Sequence, residues 1–147
     1  METLQAKVLQ LYISTGDKTN PRKKVESLVV DPNGVENDKF YGKDPNRAIL
    51  FASQRSYDLA KENGIDISNG VLGENIYIDI NLYHLSLGDK VEIGNITFEI
   101  TQNCTLCKGL SAIDAKLPKL LKDDRGIFAK ALQKGIIKVG DRVKLPK

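Results

Sequence analysis

The stretch Lys90-Val-Glu-Ile-Gly-Asn-Ile-Thr-Phe-Glu99 alternates apolar and polar residues on both sides of Gly94-Asn95. Alternation around a two-residue loop that begins with glycine predicts a β-hairpin with a type II′ turn. The predicted register pairs Ile93 with Ile96, Val91 with Phe98 and Lys90 with Glu99. The apolar pairs then share one face and the charged pair lies on the other, as a half-buried antiparallel ribbon requires.

Other short, β-branched segments separated by Gly, Asn, Asp or Pro extend this strand-rich pattern. The further strand candidates are Leu4–Ile13, Val25–Val30, Ala48–Ala52, Asn75–Ile80 and the two ends of Ile136–Leu145. Many short strands with few helices predict a mainly β fold, a compact antiparallel or mixed β-barrel with a few short peripheral helices.

Three segments carry helical signals. Ser53 is placed to cap a helix through Tyr57 and Ala60 that stops at Asn63-Gly64. A second predicted helix begins after Asp123 or Asp124, ends at Gly135 and has an apolar stripe of Ile127, Phe128, Ala131 and Leu132. Residues Ser111–Leu121 form a weaker helical stretch.

One internal similarity links two parts of the chain. Leu85–Ile93 and Ile137–Leu145 both read as a strand, a Gly-Asp turn and a second strand. A repeat architecture requires more copies at a fixed period, so we interpret the pair as two similar barrel corners.

Composition narrows the class of protein. With 147 residues, 41% of them hydrophobic, we expect one domain spanning residues 1–147. No signal peptide or membrane-spanning segment is evident, which predicts a soluble, cytoplasmic protein without membrane contact. The net charge is +3, and the basic clusters lack interleaved aromatic residues, so we predict no nucleic-acid binding.

The two cysteines, Cys104 and Cys107, follow the second hairpin strand, where a barrel would have its rim. A structural zinc site requires two further ligands, and the chain has no other cysteine and one histidine, His84. A thioredoxin-like dithiol opens a helix in a βαβ unit, which this antiparallel context does not provide. The residues alone leave open a reactive thiolate, favoured by a nearby Lys108, or two buried core thiols.

An ordered set of motifs distinguishes these alternatives. The set consists of Gly34-Val-Glu-Asn-Asp38, Gly73-Glu-Asn75, Leu87-Gly-Asp89, Thr101-Gln102 with Cys107, Arg125-Gly-Ile-Phe128 and Val139-Gly-Asp141. Together it resembles the MOSC family, the molybdenum cofactor sulfurase C-terminal domain, from about Gly34 to the C-terminus. The resemblance implies a compact barrel and aligns the family's characteristic cysteine with Cys107 rather than Cys104.

The resemblance implies that Cys107 accepts sulfane sulfur from a pyridoxal-phosphate-dependent cysteine desulfurase, for delivery to a sulfur or molybdenum cofactor acceptor protein. The alternative is a molybdenum cofactor (molybdopterin) oxidoreductase in which Cys107 ligates molybdenum, since both roles use a soft thiolate. The protein would then be sulfurtransferase-like or molybdenum-cofactor-dependent. A third alternative is a non-catalytic barrel that mediates protein contacts.

Two departures from the family pattern limit these inferences. The family commonly has glycine at the position of Asn37 and histidine at that of Phe40, so no role of that histidine applies here. The cofactor-binding enzymes also carry an N-terminal domain that encloses the pterin, and we expect no room for it in 147 residues. The second departure disfavours the oxidoreductase.

The candidate binding residues each have a structural alternative. Asp38, Glu74 and Asn75 are predicted to line a cleft with Cys107, although ordinary turn chemistry also accounts for them. Arg47 matches a basic family position and is predicted to bind a phosphate or carboxylate, with a surface ion pair as the alternative. Gln102 is a polar strand-end residue, and His84 receives no role.

Cys104 lies three residues before Cys107 and is not the cysteine that the resemblance aligns with the family's. If Cys107 becomes a persulfide, the Cys104 thiolate can attack its inner sulfur, forming a disulfide and releasing sulfide. We therefore place both cysteines among the catalytic candidates.

Overall fold

The fold is taken from a computed structural model, which describes residues 5–15, 22–44, 47–67, 74–80, 82, 85–103, 115–120 and 126–145. The strands, in chain order, are β1 (Gln5–Ser14), β2 (Arg22–Val25), β3 (Ser27–Asp31), β4 (Gly34–Val35), β5 (Ile49–Ser53), β6 (Ile76–Ile78), β7 (Lys90–Ile93), β8 (Ile96–Asn103), β9 (Ile127–Ala131), β10 (Gly135–Lys138) and β11 (Arg142–Lys144). The helices are α1 (Gln54–Glu62) and α2 (Leu117–Leu120).

Seven strands close into a mixed β-barrel in the order β1, β11, β7, β8, β9, β5 and β6. The pairing of β11 with β1 closes the ring, and β5 with β6 is the parallel pair within it. Strand β2 pairs with the second half of β1, while β10, β3 and β4 form a separate three-stranded sheet. The predicted mainly β barrel is confirmed.

The hairpin of β7 and β8 has the predicted register. The observed pairs are Lys90 with Glu99, Val91 with Phe98 and Ile93 with Ile96. Gly94 has φ 60°, a conformation that its missing Cβ allows. The hairpin fixes the face of each side chain, and Val91, Ile93, Ile96 and Phe98 are all buried.

The remaining predicted strands are present, with ends that differ by a few residues, and one of them is divided into two strands. The predicted strand Val25–Val30 is interrupted at Glu26, so that β2 pairs with β1 beside the barrel and β3 joins the small sheet. The chain therefore changes sheets within one predicted segment.

The predicted helix through Ile127 and Phe128 is wrong, because Ile127–Ala131 is the strand β9. β9 pairs with β8 on one side and β5 on the other. Ile127, Phe128 and Ala129 are all buried, so the strand shows no apolar–polar alternation. A strand covered on both faces reads as an apolar run, which periodicity does not separate from a buried helix. The proposed caps Asp123 and Asp124 lie outside the described residues.

The helix predicted after Ser53 is confirmed as α1, which ends at the C-cap Asn63. The predicted capping bond is wrong: Ser53 precedes the helix, but its side chain makes no cap hydrogen bond. α1 instead buries Ser56, Tyr57 and Ala60. Of the weaker stretch Ser111–Leu121, the part at Leu117–Leu120 is helical, and residues 111–114 and 121 lie outside the described part of the chain.

The two Gly-Asp segments adopt similar turns, as predicted. The strand predicted before the first turn is wrong, because Leu85 N–H bonds to Leu82 O in a local turn, whereas Lys138 before the second turn belongs to β10. Gly88 has φ 90° and Gly140 has φ 94°. In each turn an aspartate accepts a backbone N–H bond of 2.8 Å from three residues earlier, Ser86 to Asp89 and Lys138 to Asp141. Each turn leads into a barrel strand, and these two strands, β7 and β11, pair with each other.

The barrel interior is filled by large apolar side chains. The rings of Phe51 and Phe98 meet edge to face, with centroids 5.5 Å apart and an interplanar angle of 81°. Around them lie Leu11, Ile49, Ile76, Ile78, Ile93, Ile100 and Ile127, each less than 2% exposed. Burying a side chain of this size contributes about 1.5–3 kcal/mol. Within the described ranges, no helix is long and apolar enough to cross a membrane.

Candidate functional site

The structure describes four of the seven predicted site residues: Asp38, Arg47, Glu74 and Asn75. The other three, Cys104, Cys107 and Lys108, lie outside the described residues, as does His84. Their roles therefore stay predictions.

Strand β8 ends at Asn103, the residue before Cys104 in the sequence. Asn103 pairs with Ile127 of β9, and the register shifts between Ile100 and Gln102. Gln102 is partly exposed. An irregularity of this kind near a strand end changes the direction of the side chains that follow.

Arg47 lies beside the end of β8. Its guanidinium carbon is 5.4 Å from the centroid of the Phe128 ring, within the range of a cation–π contact. Phe128 pairs with Gln102 in β8 and with Leu50 in β5. The positive charge of the guanidinium interacts with the face of the Phe128 ring, so its N–H groups donate no hydrogen bond in this contact. Arg47 thus presents an exposed positive charge one strand away from Gln102.

Asn75 lies in line with Gln102, Phe128 and Leu50, which are paired with one another across β8, β9 and β5. Its backbone N–H donates to Leu50 O at 2.8 Å, and its Oδ1 accepts from Leu50 N at 3.1 Å. On the other side, Tyr12 N donates to Asn75 O at 2.8 Å, and Asn75 Nδ2 donates to Tyr12 O at 3.2 Å. Asn75 therefore joins β5 to β1 just before β6 begins.

Asp38 is buried and receives three hydrogen bonds. Its Oδ1 accepts from Ser14 N at 2.6 Å and from Asn75 Nδ2 at 3.0 Å. Its Oδ2 accepts from Phe40 N at 3.0 Å, the local bond of an Asx turn. Turn chemistry thus accounts for one of the bonds, and the other two are long-range. Asp38 and Asn75 hold the loop after β4 against β1 and β6.

The two departures from the family pattern lie beside Asp38. Asn37 has φ 71°, a left-handed conformation that asparagine tolerates and glycine favours. The Phe40 side chain is exposed, and the Lys39 ammonium lies 5.0 Å from its ring centroid. The glycine position is therefore filled without loss of the loop conformation, whereas the histidine position carries no titratable group.

Glu74 is completely buried and accepts a hydrogen bond of 2.5 Å from the Tyr57 hydroxyl. The Tyr57 ring meets Tyr77 edge to face at 5.3 Å, and Tyr12 completes this aromatic cluster. Burial raises the pKa of Tyr77, and the charges of Asp58 and Glu74 raise it further. Glu74 therefore ties α1 to the barrel through Tyr57.

Sequence reasoning missed Phe128 and Tyr57 as partners of the site residues. The sequence places Phe128 on a helix and Tyr57 within the helix that follows Ser53, and it pairs neither residue with Arg47 or Glu74. The motif Arg125-Gly-Ile-Phe128 draws attention to Phe128, but its partner Arg47 lies far earlier in the sequence and no local pattern links the two residues. Tyr57 had no comparable signal, because its partner Glu74 is 17 residues away.

Metal-ligating side chains do not cluster in the part of the chain that the structure describes. No group of three or more His, Cys, Asp or Glu side chains there is arranged to hold a metal ion. The predicted molybdenum ligand Cys107 lies outside that part.

Comparison with solved structures shows a shared fold. The YuaD protein from Bacillus subtilis superposes with a TM-score of 0.83 and 18% identity, over 99% of each chain. YiiM from Geobacillus stearothermophilus gives 0.73 at 18% identity, over 97% of this chain and 75% of the other. YiiM from Escherichia coli gives 0.67 at 18% identity, over 97% and 68%.

The comparison with curated proteins finds no match. The sequence model of the MOSC domain, in contrast, matches residues 37–144. This range includes Asp38, Arg47, Glu74, Asn75 and both cysteines. The matched range covers more than half of the 147 residues and includes most of the barrel strands. The chain therefore belongs to the MOSC domain family.

Proposed function

We propose that this molybdenum cofactor sulfurase-like domain is a sulfur carrier in which Cys107 accepts sulfane sulfur from a cysteine desulfurase. The observation that carries the proposal is the MOSC match, whose range includes Cys107. The Arg47 charge, held over Phe128 one strand from Gln102, supports it. An exposed cation near the end of β8 attracts an anionic donor and favours a thiolate over a thiol.

The transfer is a thiol–persulfide exchange. The Cys107 thiolate attacks the outer sulfur of the desulfurase persulfide, and the donor cysteine leaves as a thiolate. Cys107 then carries the persulfide, and no external oxidant or reductant is consumed. Lys108, adjacent in sequence, supplies a second positive charge that favours the ionised sulfur.

Persulfide mapping tests this step directly. The protein is incubated with a pyridoxal-phosphate-dependent desulfurase and cysteine, alkylated and analysed by peptide mass spectrometry. We expect one added sulfur atom on the Cys107 peptide of the wild type and of Cys104→Ser, and none in Cys107→Ser. Equal loading of Cys107→Ser would overturn the assignment.

The electrostatic contribution has a matched control. Arg47→Gln should slow sulfur loading severalfold, with a weaker dependence on salt, because it removes the charge beside β8. Arg55→Gln removes another exposed arginine, on α1, whose guanidinium lies 4.0 Å from the Glu62 carboxylate. Its loading rate should equal that of the wild type.

The molybdenum cofactor alternative uses the same residues in other roles. Cys107 is a soft ligand suited to molybdenum, and Arg47 is a cation suited to a pterin phosphate, so the donor set fits the group in kind. When bound, the cofactor would supply the redox chemistry. Stoichiometric molybdenum and pterin fluorescence in gently purified protein, without persulfide on Cys107, would favour this alternative.

A further inference from the structure

A β-bulge near the end of β8 determines the face of the sheet on which Gln102 lies. Ile100 pairs with Ala129, and Gln102 pairs with Phe128. Thr101 is therefore an extra residue in β8. In a regular strand Gln102 would lie on the same face as Ile100, which belongs to the barrel core. The bulge instead places Gln102 on the same face as its partner Phe128.

That face is the outside of the barrel wall. The neighbours of Phe128 in β9, Ile127 and Ala129, belong to the barrel core, whereas Phe128 does not. Leu50, the partner of Phe128 in β5, also lies outside the core. Phe128 and Leu50 are each only 7% exposed. They form a small, well-covered apolar surface beside Gln102.

Two polar side chains adjoin the Phe128 ring. The Arg47 guanidinium carbon is 5.4 Å from the ring centroid. Gln102 is the direct cross-strand neighbour of Phe128, which places the Cβ atoms of these two residues about 4.5–5.5 Å apart. Arg47 is exposed and Gln102 is partly exposed. Neither side chain has a hydrogen-bond or ion-pair partner among the described residues.

The donor groups of these two side chains suit a small oxyanion. A guanidinium has five N–H donors in a planar fork, which binds two oxygen atoms of one anion at once. The contact with the Phe128 ring uses the face of the guanidinium, so its N–H edge stays available. The Gln102 amide has two further N–H donors. The pair therefore favours an anion with several oxygen atoms over a monatomic anion.

We propose that Arg47 and Gln102 bind the sulfonate group of a small sulfane-sulfur donor, of which thiosulfate is the simplest. This inference rests on the proposed sulfur-carrier function and adds a second donor to it. Cys107 follows Gln102 by five residues in the sequence. Its thiolate attacks the outer sulfur of thiosulfate, the S–S bond breaks, and sulfite leaves with the bonding electron pair. Cys107 then carries the persulfide, and no oxidant or reductant is consumed.

Binding is tested without sulfur transfer in the Cys104→Ser, Cys107→Ser double variant. NMR titrations use sodium thiosulfate, sodium sulfate and, at matched ionic strength, sodium chloride. With both oxyanions we expect saturable shifts of the Gln102 side-chain amide and Arg47 Nε–H signals, and with chloride none. Equal shifts with chloride would show general ionic screening alone and would overturn the site.

Substitutions added to the double variant test each donor. Arg47→Gln should weaken the binding of both oxyanions about tenfold, because hydrogen bonds from a charged group are lost. Gln102→Glu replaces the amide donor with a negative charge and should weaken binding at least as much. Gln102→Leu removes the donor without adding charge and should weaken binding about threefold. Unchanged affinity in Arg47→Gln, or in both Gln102 variants, would overturn the proposal.

The matched controls are Arg55→Gln and Gln54→Glu, at exposed positions of α1. Each makes the same change of charge as the corresponding test variant, and both should bind thiosulfate and sulfate normally. A loss of affinity in these controls equal to that in the test variants would show that net charge alone decides binding. That result would also overturn the proposal.

Sulfur transfer is measured in Cys104→Ser with thiosulfate and no desulfurase. We expect one added sulfur atom on the Cys107 peptide and an equal amount of sulfite, with slower loading when excess sulfate competes. Adding Gln102→Glu should slow the loading about tenfold or more. Loading by a desulfurase but not by thiosulfate would reject this inference and leave the carrier function intact. Oxyanion binding without loading from either donor would reject the carrier function and leave the oxyanion site intact.

Discussion

The side-chain amide of Asn75 donates a hydrogen bond of 3.0 Å to Asp38 Oδ1 across 37 residues of sequence. Both side chains are buried, and each also bonds to the backbone of another strand or loop. The pair joins the loop after β4 to the row of the sheet that contains Leu50 and Phe128. Because Arg47 lies over Phe128, this pair also positions the surface beside β8.

Replacing Asp38 with asparagine should destabilise the protein by about 1–3 kcal/mol, because one carboxylate oxygen becomes an N–H donor that faces another donor. Urea unfolding followed by circular dichroism measures the change. Asp66→Asn, at an exposed position, is the control and should stay within about 0.5 kcal/mol of the wild type. Equal effects of the two substitutions would contradict the role assigned to Asp38.

Two glycines with short contacts should respond differently to alanine. A Cβ at Gly126 would lie 2.7 Å from Phe51 O, a backbone atom, whereas one at Gly135 would meet Ile96 Cδ1 at 2.5 Å. The Phe51 carbonyl is held by the barrel, whereas at Gly135 both Cγ1, at 2.6 Å, and Cδ1 of the buried Ile96 side chain have to move. Both substitutions should cost about 1–3 kcal/mol, with the larger loss for Gly126→Ala. Chemical denaturation of both variants measures the loss in free energy of unfolding. A larger loss for Gly135→Ala than for Gly126→Ala would contradict the prediction.

The Gly88 and Gly140 turns should be energetically equivalent. A Cβ at either residue meets nothing within 4 Å, so only the positive φ opposes substitution. Alanine at either position should cost about 1–2 kcal/mol, and asparagine less, because it tolerates positive φ better. Thermal melts of the four single variants measure these costs. If the substitutions lower the unfolding midpoint at only one of the two glycines, the two turns are not energetically equivalent.

Alkaline pH should lower stability partly through Tyr77. Burial, with Asp58 and Glu74, raises the pKa of Tyr77 above its ordinary value of 10.0. Between these two pKa values the unfolded chain loses the proton first, so the free energy of unfolding falls as pH rises above about 10 and is unaffected at neutral pH. In unfolding experiments from about pH 8 to 11, the wild type should lose more stability than Tyr77→Phe. Parallel pH profiles would exclude this contribution.

Local sequence signals predicted some elements well and failed at others for a physical reason. The hairpin register follows from alternation and a two-residue turn, both of which act within ten residues. Ile127–Ala131 failed because burial on both faces removes the alternation that identifies a strand. At Ser53 the position of the helix start was predictable, but the burial of its hydroxyl and the missing capping bond depend on tertiary packing.

The sequence by itself determined the strand-rich class, the β7–β8 register, α1, the two matching turns and the resemblance that selects Cys107 over Cys104. These features depend on neighbours in the chain or on an ordered motif set. Only the tertiary structure decided that β9 is a central strand, that Asn75 bonds to Asp38 and that Arg47 lies over Phe128. It also decided that the Ser53 hydroxyl is buried without a hydrogen-bond partner among the described residues. Each of these depends on contacts between residues far apart in sequence, whose partners become neighbours only when the barrel closes.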